Sequence, residues 1–138
     1  LTTSLGAATI TSMDWITTAA DKSAGFTLSA RVRYNEAVTV ATSNPTIAVT
    51  NGNQGTGTGR GPHTLVYASG TGTNELVFSL AIAAANAATA ADDVLIFAAQ
   101  NVLLAGSSTI KDTGTATNSE VAISASVASG AGSITVVA

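Results

Sequence analysis

Two segments of the chain repeat apolar positions with a period of two, the first of them in strict alternation with polar ones. From Gly25 to Tyr34, the side chains of Phe26, Leu28, Ala30, Val32 and Tyr34 fall on one face, and those of Thr27, Ser29, Arg31 and Arg33 on the other. From Glu75 to Ile82, Leu76, Phe78, Leu80 and Ile82 face one way, and Glu75, Val77, Ser79 and Ala81 the other. A period of two predicts half-buried strands, and these two should form the centre of the core, facing each other across two layers. Weaker strands rich in Thr, Val and Ile are predicted at Ala8–Thr17, Ala37–Ala41, Thr46–Thr50, Thr64–Ser69, Val94–Ala98, Val121–Val127 and Ser133–Val137. Between them lie residues that reverse a backbone: Asp21 to Gly25, Asn44-Pro45, Asn51-Gly52, Ser69 to Gly72, and Lys111 to Gly114. Ala83–Ala91 is the one helix-like stretch, but it carries no large apolar stripe. Short strands joined by turns, without crossover helices, predict an antiparallel sandwich.

The 138 residues suffice for one domain, so a single unit spanning 1–138 is expected. Charged residues are only 9% of the chain and the net charge is −3, so no basic surface exists to gather phosphates. Nucleic acid is thereby excluded as a partner class. No Cys is present, which removes disulfides, thiolate metal sites and a Cys nucleophile. The longest weakly polar run, Leu80 to Ala91, is too short and too mild to span a bilayer, and residues 1–16 lack the pattern of a secretory signal.

Three stretches taken in order closely resemble bacterial Ig-like repeats. They are Val32-Arg33-Tyr34-Asn35-Glu36-Ala37-Val38-Thr39-Val40, then Pro45-Thr46-Ile47-Ala48-Val49, then Tyr67-Ala68-Ser69-Gly70-Thr71-Gly72-Thr73-Asn74-Glu75-Leu76-Val77-Phe78. Thr109-Ile110-Lys111-Asp112 supplies the T-I-K-D stretch that follows in such repeats. The resemblance implies an all-β, Ig-like antiparallel Greek-key sandwich, of the kind found as single modules on tailed-phage virions and as tandem arrays in secreted adhesins. Asp112-Thr113-Gly114-Thr115 replaces the usual Asp-x-Ala-Gly-Asn ending, which removes the basis for an interdomain calcium site. Asn51 to Pro62 is a longer Gly-rich insertion than the repeats need, and after Ser124 the chain runs into a further apolar strand, Ile134 to Val137. That continuation favours a self-contained module.

Chemistry-bearing residues are sparse. The glycines of Gly52 to Gly61 fit neither the dinucleotide fingerprint nor a P-loop. His63 is the only His and is expected at a surface or turn position beside Pro62. No G-x-S-x-G elbow accompanies the many Ser and Thr residues. Asp92-Asp93, joined by Asp21 or Asp112, could hold a calcium ion through oxygen ligands, but solvated turn acids are the simpler reading. Glu36 is placed to pair with Arg31 or Arg33, and Trp15 to pack in the core or at an edge.

These features together predict a non-enzymatic protein without cofactor or metal. Its partners are expected to be proteins, either capsid or neighbouring subunits, in a homo-oligomer or lattice on a virion surface. The alternatives are a repeat from an extracellular adhesin on a bacterial cell surface and a carbohydrate-binding module. Candidate contact residues are Asn53, Gln54 and Arg60 in the Gly-rich stretch, and Ile134 and Val136 in a C-terminal strand that could extend a neighbour's sheet.

Overall fold

A computed structural model of the chain describes residues 7–42, 45–52, 63–85, 89 and 93–137. Strands dominate, at 58% against 5% helix, and they form an antiparallel curled sheet with a small second sheet. Strand β2, Phe26–Ala41, organises the rest. Its first half pairs on one side with β1, Ile10–Trp15, and on the other with β5, Thr73–Ile82. The register becomes irregular between Arg33 and Val38, and the second half, Val38 to Ala41, pairs with β9, Thr109–Asp112. Beyond β5 the sheet continues through β4, His63–Ser69, to β3, Pro45–Gly52, so that β2 to β5 stand in the Greek-key order β2-β5-β4-β3. The far side of β3 is shared by β6, Val94–Ile96, and β8, Leu103–Leu104; β11, Ser133–Thr135, adds to β6. Between β6 and β8, β7, Gln100–Asn101, pairs with β10, Ala122–Ile123, as the small second sheet.

The curl brings the two ends of this path together. Trp15 at the end of β1 stacks on Phe97, just past β6, with ring centroids 4.4 Å apart. Its indole Nε1 donates to the Gly132 carbonyl at 3.2 Å, immediately before β11. Helix α1, Ala125–Gly130, packs against β1 at this seam and buries Ala128. Inside, Leu28, Val32, Tyr34 and Val38 of β2 pack with Leu76, Phe78 and Ile82 of β5, Ile47 and Val49 of β3, and Leu65 of β4. Tyr34 donates its hydroxyl to the Glu120 carbonyl at 2.9 Å, while the Glu120 carboxylate accepts the Ile10 N–H, clasping β1 and β2 to one residue. Burial, reinforced by the negative charge of Glu120, pushes the Tyr34 phenol up in pKa.

Gly70, Thr71 and Gly72 of the Ser-Gly-Thr-Gly-Thr hairpin each have a structural role. Gly70 takes φ +116°, and a Cβ there would stand 2.0 Å from the Glu75 carbonyl oxygen. Thr71 N–H donates to the Tyr67 hydroxyl at 2.9 Å, while its own Oγ1 accepts the Val40 N–H at 2.8 Å. Gly72 N–H donates to the Val38 carbonyl at 2.8 Å. The hairpin therefore ties β4 and β5 to the second half of β2.

Several sequence expectations need correction. Leu28 and Val32 do not face β5 across two layers; β2 and β5 are hydrogen-bonded neighbours, with Leu28 opposite Leu80 and Val32 opposite Leu76. Leu80 is half-buried, not in the core. Ala37–Ala41 is the second half of β2, not a separate strand, because Val38 and Val40 keep the inward parity of Leu28 and Val32 through the bend. Asn51-Gly52 ends strand β3 and does not itself turn. Val121–Val127 divides into β10 and α1, because the Ser124 hydroxyl accepts the Val127 N–H at 3.2 Å and caps the helix. Residues 83–85 and 89 are not helical, and the remainder of 83–91 lies outside the described residues.

Two substitutions test this arrangement. Gly70→Ala should cost about 3 kcal/mol or more, since it adds both left-handed strain and a backbone clash. Phe78→Ala should cost ~3–5 kcal/mol, because the ring is fully buried. Chemical denaturation checks both, and a parental midpoint for either variant would contradict the placement of the hairpin or the core.

Candidate functional site

Outward-facing side chains divide the sheet into a charged corner and a neutral field. At the corner, Asp14 on β1, Arg31 and Arg33 on β2 and Glu75 on β5 occupy adjacent register positions. Arg33 contacts Asp14 and Glu75 at 2.7 Å each, and Arg31 contacts the same two carboxylates at 3.2 and 3.7 Å. Hydrogen bonding from Arg33 holds the Glu75 carboxyl below its ordinary pKa, and the Arg33 guanidinium is raised in turn. Each acid is thus matched by two guanidinium groups, and the corner is electrically closed.

Across the rest of the sheet, Ser29, Ser79, Val66, Thr46 and Leu103 form one row over β2, β5, β4, β3 and β8. On the adjacent row, Thr27 faces Ala81 and Ala48 faces Thr64. Neither row holds a charged residue. Val66 is 40% exposed and Leu103 62%. Where β3 lacks a strand partner between β6 and β8, the Gln100 amide supplies one: it donates to the Ala48 carbonyl and accepts the Ala48 N–H, both at 2.8 Å. A side-chain rung closes that part of the edge to an incoming strand. What remains for a partner is a field of small hydroxyl and apolar side chains.

Of the residues singled out in the sequence, those that the structure describes do not assemble into this field. Asn53, Gln54 and Arg60 lie outside the described residues, as does Asp92. Ile134 and Val136 are 8% and 0% exposed, so their side chains belong to this chain's own core and cannot serve as the contact surface. Pairing of β11 with β6, and the Val136 N–H bond to the Asp93 carbonyl at 2.8 Å, explain why the C-terminal strand folds inward. Deleting Ser133–Ala138 should consequently unfold the chain, with loss of its strand signal in circular dichroism. Arg31 and Arg33 pair with Asp14 and Glu75 in place of Glu36, which sits in the β2 bend. Trp15 packs at the seam, as its residue type suggested.

His63 is buried, not at the surface, because its position on β4 opposite Val49 turns the ring inward. Its Nε2 lies 2.7 Å from the hydroxyl of buried Thr89. Asp93 and Asp112 are buried too, contrary to the reading as solvated turn acids, whereas Asp21 is exposed. The Asp93 carboxylate accepts from the Asn51 amide at 3.0 Å, and Asp112 Oδ1 accepts the N–H groups of Gly114 and Thr115. Among the described residues, no three His or acidic side chains converge on a point that could hold a metal.

Leu103 and Val66 were the residues missed. The signal was present: Val102-Leu103-Leu104 breaks the alternation, and an extended backbone can turn only part of such a run inward. Val102 is buried, while Leu103 and Leu104 are exposed. Comparison with protein families, curated proteins and solved structures finds no match to the chain.

Burial disfavours the charged imidazole, so the folded-state pKa of His63 lies below its ordinary value of 6.5. Its contribution to stability is therefore present above about pH 6.5 and is lost as the pH falls from there towards the folded-state value. Denaturation midpoints between about pH 7.5 and pH 5.5 should fall for the parent chain and fall less for His63→Gln. Since His63 is the only His, equal slopes in the two proteins would show that the ring is not protected from protonation.

Proposed function

We propose that this chain is a non-enzymatic virion structural protein, a decoration module of the tailed-phage type that attaches to capsid or neighbouring subunits through the neutral field. The observation that carries the reading is the separation on one sheet between an electrically closed corner and rows without charge, on which Leu103 and Val66 are exposed. Side chains of this kind offer contact by apolar burial and hydroxyl hydrogen bonds and present nothing for ionic steering. The resemblance to Ig-like repeats supports the same class.

Attachment by such a surface is weakly dependent on salt. Quantitative mass spectrometry of purified particles should find the parent chain in many copies per particle, retained after washing at about 1 M salt. Val66→Lys, which places a charge in the middle of the contact row, should be lost from particles by at least tenfold while its circular dichroism stays parental. Full retention of Val66→Lys, or release of the parent chain by salt alone, would overturn the proposal. Recovery within a giant cell-surface polypeptide would favour the adhesin reading.

A further inference from the structure

We infer that α1 is a liftable cover over the outer edge of β1, an autoinhibitory contact that keeps this edge from pairing with a strand of another molecule. β1 begins the sheet path and, among the described residues, has β2 as its one strand partner. In an antiparallel pair, successive residues turn their backbone N–H and C=O groups alternately towards the partner and away from it. Ile16 donates its N–H to the Ser29 carbonyl at 2.9 Å, so in the unbroken register from Ser12 to Trp15 the backbone groups of Asp14 face β2 and those of Met13 and Trp15 face outward. Before the register shift, the Thr9 carbonyl accepts the Asn35 N–H, which turns the groups of Ala8 and Ile10 outward. Glu120 meets both: its N–H donates to the Ala8 carbonyl at 2.8 Å, and its carboxylate accepts the Ile10 N–H at 2.9 Å. Among the described residues, no strand does the same for Met13 and Trp15, and α1 stands there instead.

The cover is loosely held. α1 has six residues, too few for a helix to stand alone, and it buries only Ala128. A cleft of about 270 Å³ lies between it and β1, lined by Thr11, Ser12 and Met13 on the strand and by Ser126, Val127 and Gly130 on the helix. On the other flank of the helix, a second cleft of about 280 Å³ lies against Ile96 and Phe97. Just past the helix, the Trp15 indole bond to the Gly132 carbonyl ties the chain back to β1. An element with so few contacts opens at a fraction of the free energy of global unfolding. A paired strand lies ~4.8 Å from its neighbour, and a helix with its side chains is about 10 Å across, so α1 and an incoming strand exclude each other. Covering a sheet edge with a helix is one way of protecting it from strand addition. Once α1 lifts, the bare edge is a row of backbone donors and acceptors, which selects an extended segment. In a purified solution, the source of such a segment is another copy of this chain.

Hydrogen exchange and sedimentation velocity test the cover. In the parent chain the Ala128 amide, which donates to the Ser124 carbonyl, should exchange at least tenfold faster than the amide of Val32 in the core, because α1 opens without the sheet. Ala128→Asp puts a carboxylate at the buried position of α1 and should lift the helix. The variant should keep the parental strand signal in circular dichroism and self-associate at least tenfold more tightly than the parent. In its associated form, the Met13 and Trp15 amides should exchange at least tenfold more slowly than in its own monomer. If Ala128→Asp does not fold, Ser124→Ala, which removes only the cap, should raise self-association about fivefold in its place. An Ala128 amide as slow as that of Val32 overturns the inference, as does a folded variant that associates like the parent, or an associate in which Met13 and Trp15 gain no protection. Attachment through the neutral field does not depend on these outcomes and is judged separately, by the retention of Val66→Lys on particles.

Discussion

Strand β2 must satisfy two sets of backbone partners at once, and the fold follows from how it does so. Its sixteen residues exceed the span of any one neighbour. A straight strand would leave the N–H and C=O groups of Val38 to Ala41 beyond the partners of the first half, and unsatisfied backbone in a core is costly. Bending at Asn35 to Ala37 delivers them to β9, while Gly72 N–H and Thr71 Oγ1 of the β4–β5 hairpin meet Val38 and Val40 from the other side. Because even-numbered side chains point inward on both sides of the bend, one strand lines the core along its whole length. The Greek-key order of β2 to β5 then places β4 and β3 beyond β5, and the sheet curls onward until β6 and β11 return to β1.

Curling creates a seam, and the seam is closed by few groups. Trp15 contributes a stacked ring and one hydrogen bond, and α1 covers the adjoining margin of β1 with small side chains. The outer surface inherits its division from the same topology. β1, β2 and β5 meet where Arg31 and Arg33 can reach two acids, so four of the chain's few charges are consumed at one corner. β4, β3 and β8 lie on the other side of β5, and their outward positions hold Thr, Ala, Val and Leu.

Regular alternation made the inner strands legible. Leu28 to Tyr34 and Leu76 to Ile82 could be read as core strands because apolar side chains recur at every second position in each. Their arrangement could not, since a period of two gives the face of each strand but not which strands are hydrogen-bonded neighbours. Ala37 to Ala41 looked separate because Asn35 and Glu36 interrupt the apolar pattern, although the backbone stays extended through them. The cap at Ser124 was visible only as one Ser among many. Hydropathy alone marks Ile134 and Val136 as an available edge, and it carries no record that β6 pairs with Ile134 and the Asp93 carbonyl with Val136. His63 shows the same limit: its residue type suggested a turn, and the register opposite Val49 placed it inside.

Amide hydrogen exchange under native conditions tests the dependence on β2 most directly. If the strand is held as one body through its bend, the amides of Ala30 and Val32 and those of Val38 and Val40 exchange only through global unfolding and share one opening free energy. Exchange of Val38 and Val40 by a local opening several kcal/mol below the global value would contradict the account, because the second half of β2 would then be an appendage of the fold.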